Sequence, residues 1–198
     1  DMSATVSQLF KEGITAHERG ELEGAEVCYR DILKQDPSHA EAMRLLGSVR
    51  LAQKDCGEAK RLLLDAARAN PGSPLVHNDL GIACSELGEI EASLASFELA
   101  VQLDPSFHEA WNNAGNACLG LGRNSDSATH FQKCLSLDPG FASALFGLAV
   151  ATENLGKYEE AAALYRKTIA VNPLYANSYL NLANLLFEQS QHAAARSV

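Results

Sequence analysis

Residues 108–141 read HEAWNNAGNACLGLGRNSDSATHFQKCLSLDPGF, and Pro139 near the end of this stretch is one rung of a ladder. Pro37, Pro71, Pro105, Pro139 and Pro173 recur every 34 residues, and only Pro74 of the six prolines falls elsewhere. A fixed period of that length marks a stack of like supersecondary units, none of which buries its apolar face alone. Placing each proline near the end of its unit divides the chain into 6–39, 40–73, 74–107, 108–141, 142–175 and a partial unit 176–198.

Other places keep the same step. The eighth is small (Gly13, Gly47, Gly81, Gly115, Ala149, Ala183), as is the twentieth (Ala25, Ala59, Ser93, Ser127, Ala161, Ala195). The twenty-fourth is bulky: Tyr29, Leu63, Phe97, Phe131 and Tyr165. Two small places and one large one predict two helices crossing closely, with a knob filling the gap.

Gly20, Gly88, Gly122 and Gly156 mark a break in mid-unit, with Lys54 and Ser190 at the same place in the other two units. Glycine there ends a helix in a left-handed turn. Asp36-Pro37, Asn70-Pro71, Asp104-Pro105, Asp138-Pro139 and Asn172-Pro173 close the second helix, because a residue before proline avoids the helical region. Each unit is thus expected to be helix-turn-helix, with helices of roughly 12–14 residues.

The pattern resembles the tetratricopeptide repeat (TPR) across nearly the whole chain. The fourth unit carries it through Trp111, Gly115, Gly122, Phe131 and Pro139, and the fifth through Leu148, Gly156, Tyr158, Ala161, Tyr165 and Pro173. The first two units are looser, with Glu12 where leucine is usual and Arg50 where an apolar residue is expected. The resemblance implies an all-α fold, a right-handed α-solenoid of stacked hairpins forming a single array over 1–198.

Composition bounds the function. The chain has 198 residues, 46% of them hydrophobic, and a net charge of −9 with no basic stripe, so nucleic acid and anionic membranes are poor partners. No apolar run is long enough to span a bilayer, and Asp1 to Ser7 do not read as a secretory signal. Five cysteines with no CxxC pair read as reduced thiols packed as small apolar side chains, which points to a reducing, cytoplasmic setting.

The search for chemistry returns little. Gly120 to Ser125 superficially resembles a nucleotide-binding loop but lacks a preceding strand, so it reads as the hairpin turn. His17, His39, His77, His108, His130 and His192 share no ligand spacing, and Glu159-Glu160 reads as a solvated helix face. No catalytic residue, metal site or cofactor is expected.

In TPR proteins the first helix of each hairpin lines a concave groove. Carried over place by place, the resemblance assigns to that groove Asn78, Asp79, Asn112, Asn113, Asn116, Phe146, Asn181 and Asn184, together with Phe10, Ile14, Glu41, Arg44 and Ser48. Asn113/Asn116 and Asn181/Asn184 are each three apart, so each pair shares a helical face. A primary amide both donates and accepts, and can engage the N–H and C=O of an extended peptide. Glu18, Glu41, Asp79, Glu86, Glu109, Glu153 and Glu188 outnumber Lys11 and Arg44 on these helices, favouring neutral to basic peptides. The lysines and arginine of a C-terminal carboxylate clamp are missing from the matching places, held by Phe10 or Asn78 and by Asp79 or Gly147.

The expected function is therefore a protein–protein interaction module that binds an extended peptide or a partner helix. The asparagine ladder is also similar to the TPR arm of O-GlcNAc transferases. That likeness implies an alternative role as the substrate-recruiting arm of a multidomain glycosyltransferase or other group transferase. A third alternative is a self-assembling scaffold. Val198 falls just inside the expected second helix of the sixth unit, so Leu182, Leu185, Leu186 and Phe187 are expected to lack part of their cover. The chain is therefore expected to be a fragment, or to self-associate through that end.

Overall fold

The computed structural model describes residues 5–196, with side chains described over 5–190. These residues form eleven α-helices and no strand. Helices α1 (Val6–Glu18) and α2 (Leu22–Gln35), α3 (Ala40–Ala52) and α4 (Cys56–Ala69), and α5 (Pro74–Glu86) and α6 (Ile90–Leu103) are three hairpins. They make one compact unit that ends at Asp104. A second unit begins at Pro105 and holds α7 (His108–Gly120) with α8 (Asn124–Leu137), α9 (Ala142–Asn154) with α10 (Tyr158–Val171), and α11 (Ala176–Arg196).

Local chemistry sets these bounds. Thr5 opens α1 with a capping box closed by Gln8, and Ser73 caps α5 just ahead of Pro74 in its first turn. The mid-unit break is left-handed in all five hairpins: Gly20, Gly88, Gly122 and Gly156 have φ of 74, 77, 70 and 76°, and Lys54 has 64°. At Gly20 its own N–H donates to the His17 carbonyl, and the Glu21 N–H donates to the Ala16 carbonyl, a Schellman closure. Lys54 and Asp55 repeat both bonds on Leu51 and Arg50 without a glycine. At the far end of the unit, Asp36, Asp138 and Asn172 do more than precede proline. Their side-chain oxygens accept from the backbone N–H groups of Ser38, Gly140 and Leu174 at 3.0, 3.0 and 3.1 Å.

The expected knobs are in place. Tyr29, Leu63, Phe131 and Tyr165 are fully buried and Phe97 is 3% exposed. A β-carbon at Gly81 would lie 2.5 Å from the Phe97 ring, and one at Gly115 2.7 Å from Phe131. Phe131 also meets the next hairpin, because a β-carbon at Gly147 would come within 2.2 Å of it. Packing thus accounts for glycine at 147, the place that Asn113 and Asn181 hold in the neighbouring units. In the twentieth place Ser127 donates to the Gly115 carbonyl at 2.8 Å, tying α8 to α7.

Cys84, Cys118 and Cys134 are buried, Cys28 and Cys56 partly so, and all five are free thiols. Burial pushes the Cys134 thiol up to about 11. Arg50, unexpected at an apolar place, pairs with Glu26 and donates to Gln53 Oε1 at 2.7 Å.

One expectation fails. The break at Ser190 is not made: α11 runs unbroken to Arg196, and the Ser190 hydroxyl donates back to the Phe187 carbonyl at 2.7 Å. Without glycine, and with three alanines following, nothing in the sequence forces a left-handed residue there. The side chain of Ala195, and Val198, lie outside the described residues.

Candidate functional site

In the first unit the face formed by α1, α3 and α5 is built around Arg44. Its guanidinium grips Glu41 through two bonds, Nε to Oε2 at 2.9 Å and Nη2 to Oε1 at 2.6 Å. Its Nη1 donates to Asp79 Oδ2 at 2.8 Å, and the Ser48 hydroxyl reaches the same oxygen at 3.3 Å. Burial works against the Arg44 charge, and the bonds to Glu41 and Asp79 more than offset it, raising its pKa. Asp79 is thus an anchor between α3 and α5. Asn78 beside it is buried, 7% exposed.

Next to Arg44 a cavity of about 510 Å³ opens between α1 and α3, walled by Phe10, Ile14 and Leu45, with Tyr29 and His17 at its side and Glu18 and Glu41 at its rim. The Tyr29 hydroxyl is buried with no hydrogen-bond partner among the described residues.

In the second unit α7 and α9 lie side by side. Asn112 is buried, and its amide nitrogen makes a long contact of 3.5 Å to Asn113 Oδ1. Asn113 is half-buried, and Asn116, one turn on, is exposed. Phe146 packs between Tyr165 and Tyr175, with ring centroids 5.9 and 5.1 Å away. The Tyr165 hydroxyl donates to Glu153 and accepts from Asn181 Nδ2 at 3.3 Å. Burial raises the Tyr165 pKa, and the Glu153 bond raises it further. Asn184 is exposed.

The sequence-assigned residues therefore separate. Asn116 and Asn184 present their amides to solvent, Asn113 does so in part, and Phe146 leaves part of its ring exposed, while Asn78 and Asn112 face the packing and Asp79 and Asn181 hold neighbouring side chains. The acidic excess is also reduced: Glu41 and Asp79 share Arg44, and Glu86 meets Lys54 at 3.4 Å. Sequence reasoning missed the two tyrosine hydroxyls. Asking where each hydroxyl in the twenty-fourth place finds a partner would have singled them out. Among the described residues no His, Cys, Asp or Glu group could hold a metal, and no helix is long and apolar enough to cross a membrane.

The family described as Tetratricopeptide repeat matches residues 10–74, 48–106, 78–142 and 112–170, and TPR repeat matches 154–190. The chain belongs to the tetratricopeptide repeat family. This TPR chain superposes on Pseudomonas aeruginosa pilF with a TM-score of 0.82 at 24% identity, covering 96% of this chain and 87% of that one. YrrB, described as a TPR protein with an unusual peptide-binding site, gives 0.76 at 23%, covering 89% and 91%. MamA gives 0.75 at 22%, covering 87% and 94%. At these identities the likeness is one of fold. None of the curated protein sequences matches this chain. The family match supports a protein-interaction module.

Proposed function

We propose that this TPR protein holds an extended, neutral to basic peptide against the first helices of its hairpins, with asparagine amides gripping the peptide backbone. The observation that carries this reading is the α7 face. Asn116 is exposed, Asn113 is half-buried, and both stand one helical turn apart on a helix locked by the Ser127 bond and the Phe131 knob. A rigid pair of donor–acceptor groups binds a strand with little ordering cost.

The test begins with a random dodecapeptide library selected on the whole chain. The recovered peptide is synthesised and titrated calorimetrically against wild type and against the Asn113→Ala, Asn116→Ala double variant. Affinity should fall roughly tenfold for two lost hydrogen bonds, with far-ultraviolet circular dichroism unchanged. Equal affinity would remove these residues from the site.

A second reading, self-association, is favoured by α11 and the turn before it, where Leu174, Leu180 and Phe187 are 91, 61 and 64% exposed. Light scattering at rising concentration decides it, since a strictly monomeric mass would end that reading.

A further inference from the structure

Tyr29 and Tyr165 occupy the same repeat place, yet their hydroxyls differ. Tyr165 is served by Glu153 from the twelfth place of its own unit and by Asn181 from the sixth place of the next. The corresponding residues around Tyr29 are His17, whose ring sits edge-on at 6.3 Å, and Leu45, which has no polar atom to offer. The Tyr29 hydroxyl is therefore buried without a partner among the described residues, and its ring borders the cavity of about 510 Å³. Buried polar groups are rarely left unmatched, because each forfeits its water bonds.

The surroundings say what chemistry would match it. Phe10, Ile14 and Leu45 provide an apolar wall for a hydrocarbon stem, and Glu18 and Glu41 stand at the rim. The cation on this wall, Arg44, is already engaged by Glu41 and Asp79, so those two carboxylates and Glu18 leave the site net negative. A lysine side chain has this composition: an apolar stem that packs, and an ammonium with three donors and no acceptor. Its donors would find the rim carboxylates and the lone pairs of the Tyr29 oxygen. Burial raises the Tyr29 pKa to about 12, so the phenol stays neutral and keeps its accepting oxygen free of charge.

We propose that the cavity between α1 and α3 is a specificity pocket for a lysine side chain of the bound peptide, with Tyr29 and Glu18 as its recognition groups. This inference rests on the peptide-binding reading above, and names the side chain that reading leaves open.

The test uses the whole chain and two capped octapeptides of alanine and serine, one with a central lysine and one with norleucine, which keeps the stem and lacks the amine. Both are titrated by methyl nuclear magnetic resonance, reading Ile14 and Leu45. The lysine peptide should bind about tenfold more tightly, as expected for charge-assisted hydrogen bonds. Glu18→Gln and Tyr29→Phe should each cut that preference at least about threefold while leaving norleucine affinity unchanged. Equal affinity for the two peptides, an unchanged preference in both variants, or no shift at Ile14 and Leu45 would each overturn the pocket. The two readings fail separately. Loss of binding in the Asn113→Ala, Asn116→Ala variant without lysine preference keeps the amide reading and ends the pocket, and the reverse result does the opposite.

Discussion

The Tyr165 hydroxyl donates its proton to Glu153 Oε2 at 2.5 Å, crossing from α10 to α9 inside one hairpin. Asn181 on α11 donates to the same hydroxyl, so one phenol couples three helices. Tyr165→Phe removes a donor and an acceptor together and leaves Glu153 and Asn181 without this partner. The variant should lose about 0.5–1.5 kcal/mol in urea unfolding, the net worth of hydrogen bonds among half-buried groups. Tyr29→Phe should cost nothing or stabilise slightly, because its hydroxyl serves no described neighbour. Equal losses in the two variants would show that the network carries no energy.

Gly147 faces the end of the Phe131 ring, where an added β-carbon would lie 2.2 Å from Cζ. Phe131 is fully buried and hemmed by Gly115 on its other contact, so it has little room to yield. Gly147→Ala should therefore destabilise by about 1–3 kcal/mol despite its better helix propensity. Gly24→Ala, where the nearest atom to a new β-carbon is a side-chain methyl carbon at 3.7 Å, should be neutral or stabilising. Thermal midpoints of the two variants check the contrast.

Lys54 holds φ of 64° where the other four hairpins use glycine. A non-glycine residue costs roughly 1–2 kcal/mol in that region. Its ammonium meets Glu86 at 3.4 Å, but the lysine side chain is 77% exposed and such a pair is worth little. Lys54→Gly should raise the stability of the chain by up to about 1 kcal/mol, seen as a higher midpoint in guanidinium unfolding.

Glu26 is held below the usual carboxylate range, first by its hydrogen bond with Arg30, with Gln53 and Arg50 adding to it against the opposing effect of burial. A depressed carboxylate pKa stabilises the fold above its unfolded value of 4.5 and loses that contribution as pH falls through the folded pKa. Thermal midpoints should drop below pH 4.5 more steeply in wild type than in Glu26→Gln. The difference should be modest, since the surrounding pairs are partly exposed. Parallel curves would show that Glu26 is not coupled to folding.

Period and residue size together made the hairpins legible in sequence. Proline, glycine and the small–large places each act through backbone geometry or close packing, which one chain records directly. Lys54 was harder, because only the neighbouring repeats force its left-handed turn. Ser190 misled for the complementary reason: a repeat place without its glycine does not oblige the helix to stop. At the site, sequence placed Asn116 and Asn184 on an open face, but it could not separate them from Asn78 and Asn112. A helix rotates each place by a fixed angle, while burial depends on what the neighbouring hairpin supplies. The Arg44 grip on Asp79 spans 35 residues and belongs to that class.

Because the ring of Phe131 is wedged against Gly115 on its own hairpin and Gly147 on the following one, neither hairpin can melt and leave the other's interior dry. Amide hydrogens of α7 to α10 should consequently exchange with heavy water as one block, at a common opening rate, rather than peeling away repeat by repeat.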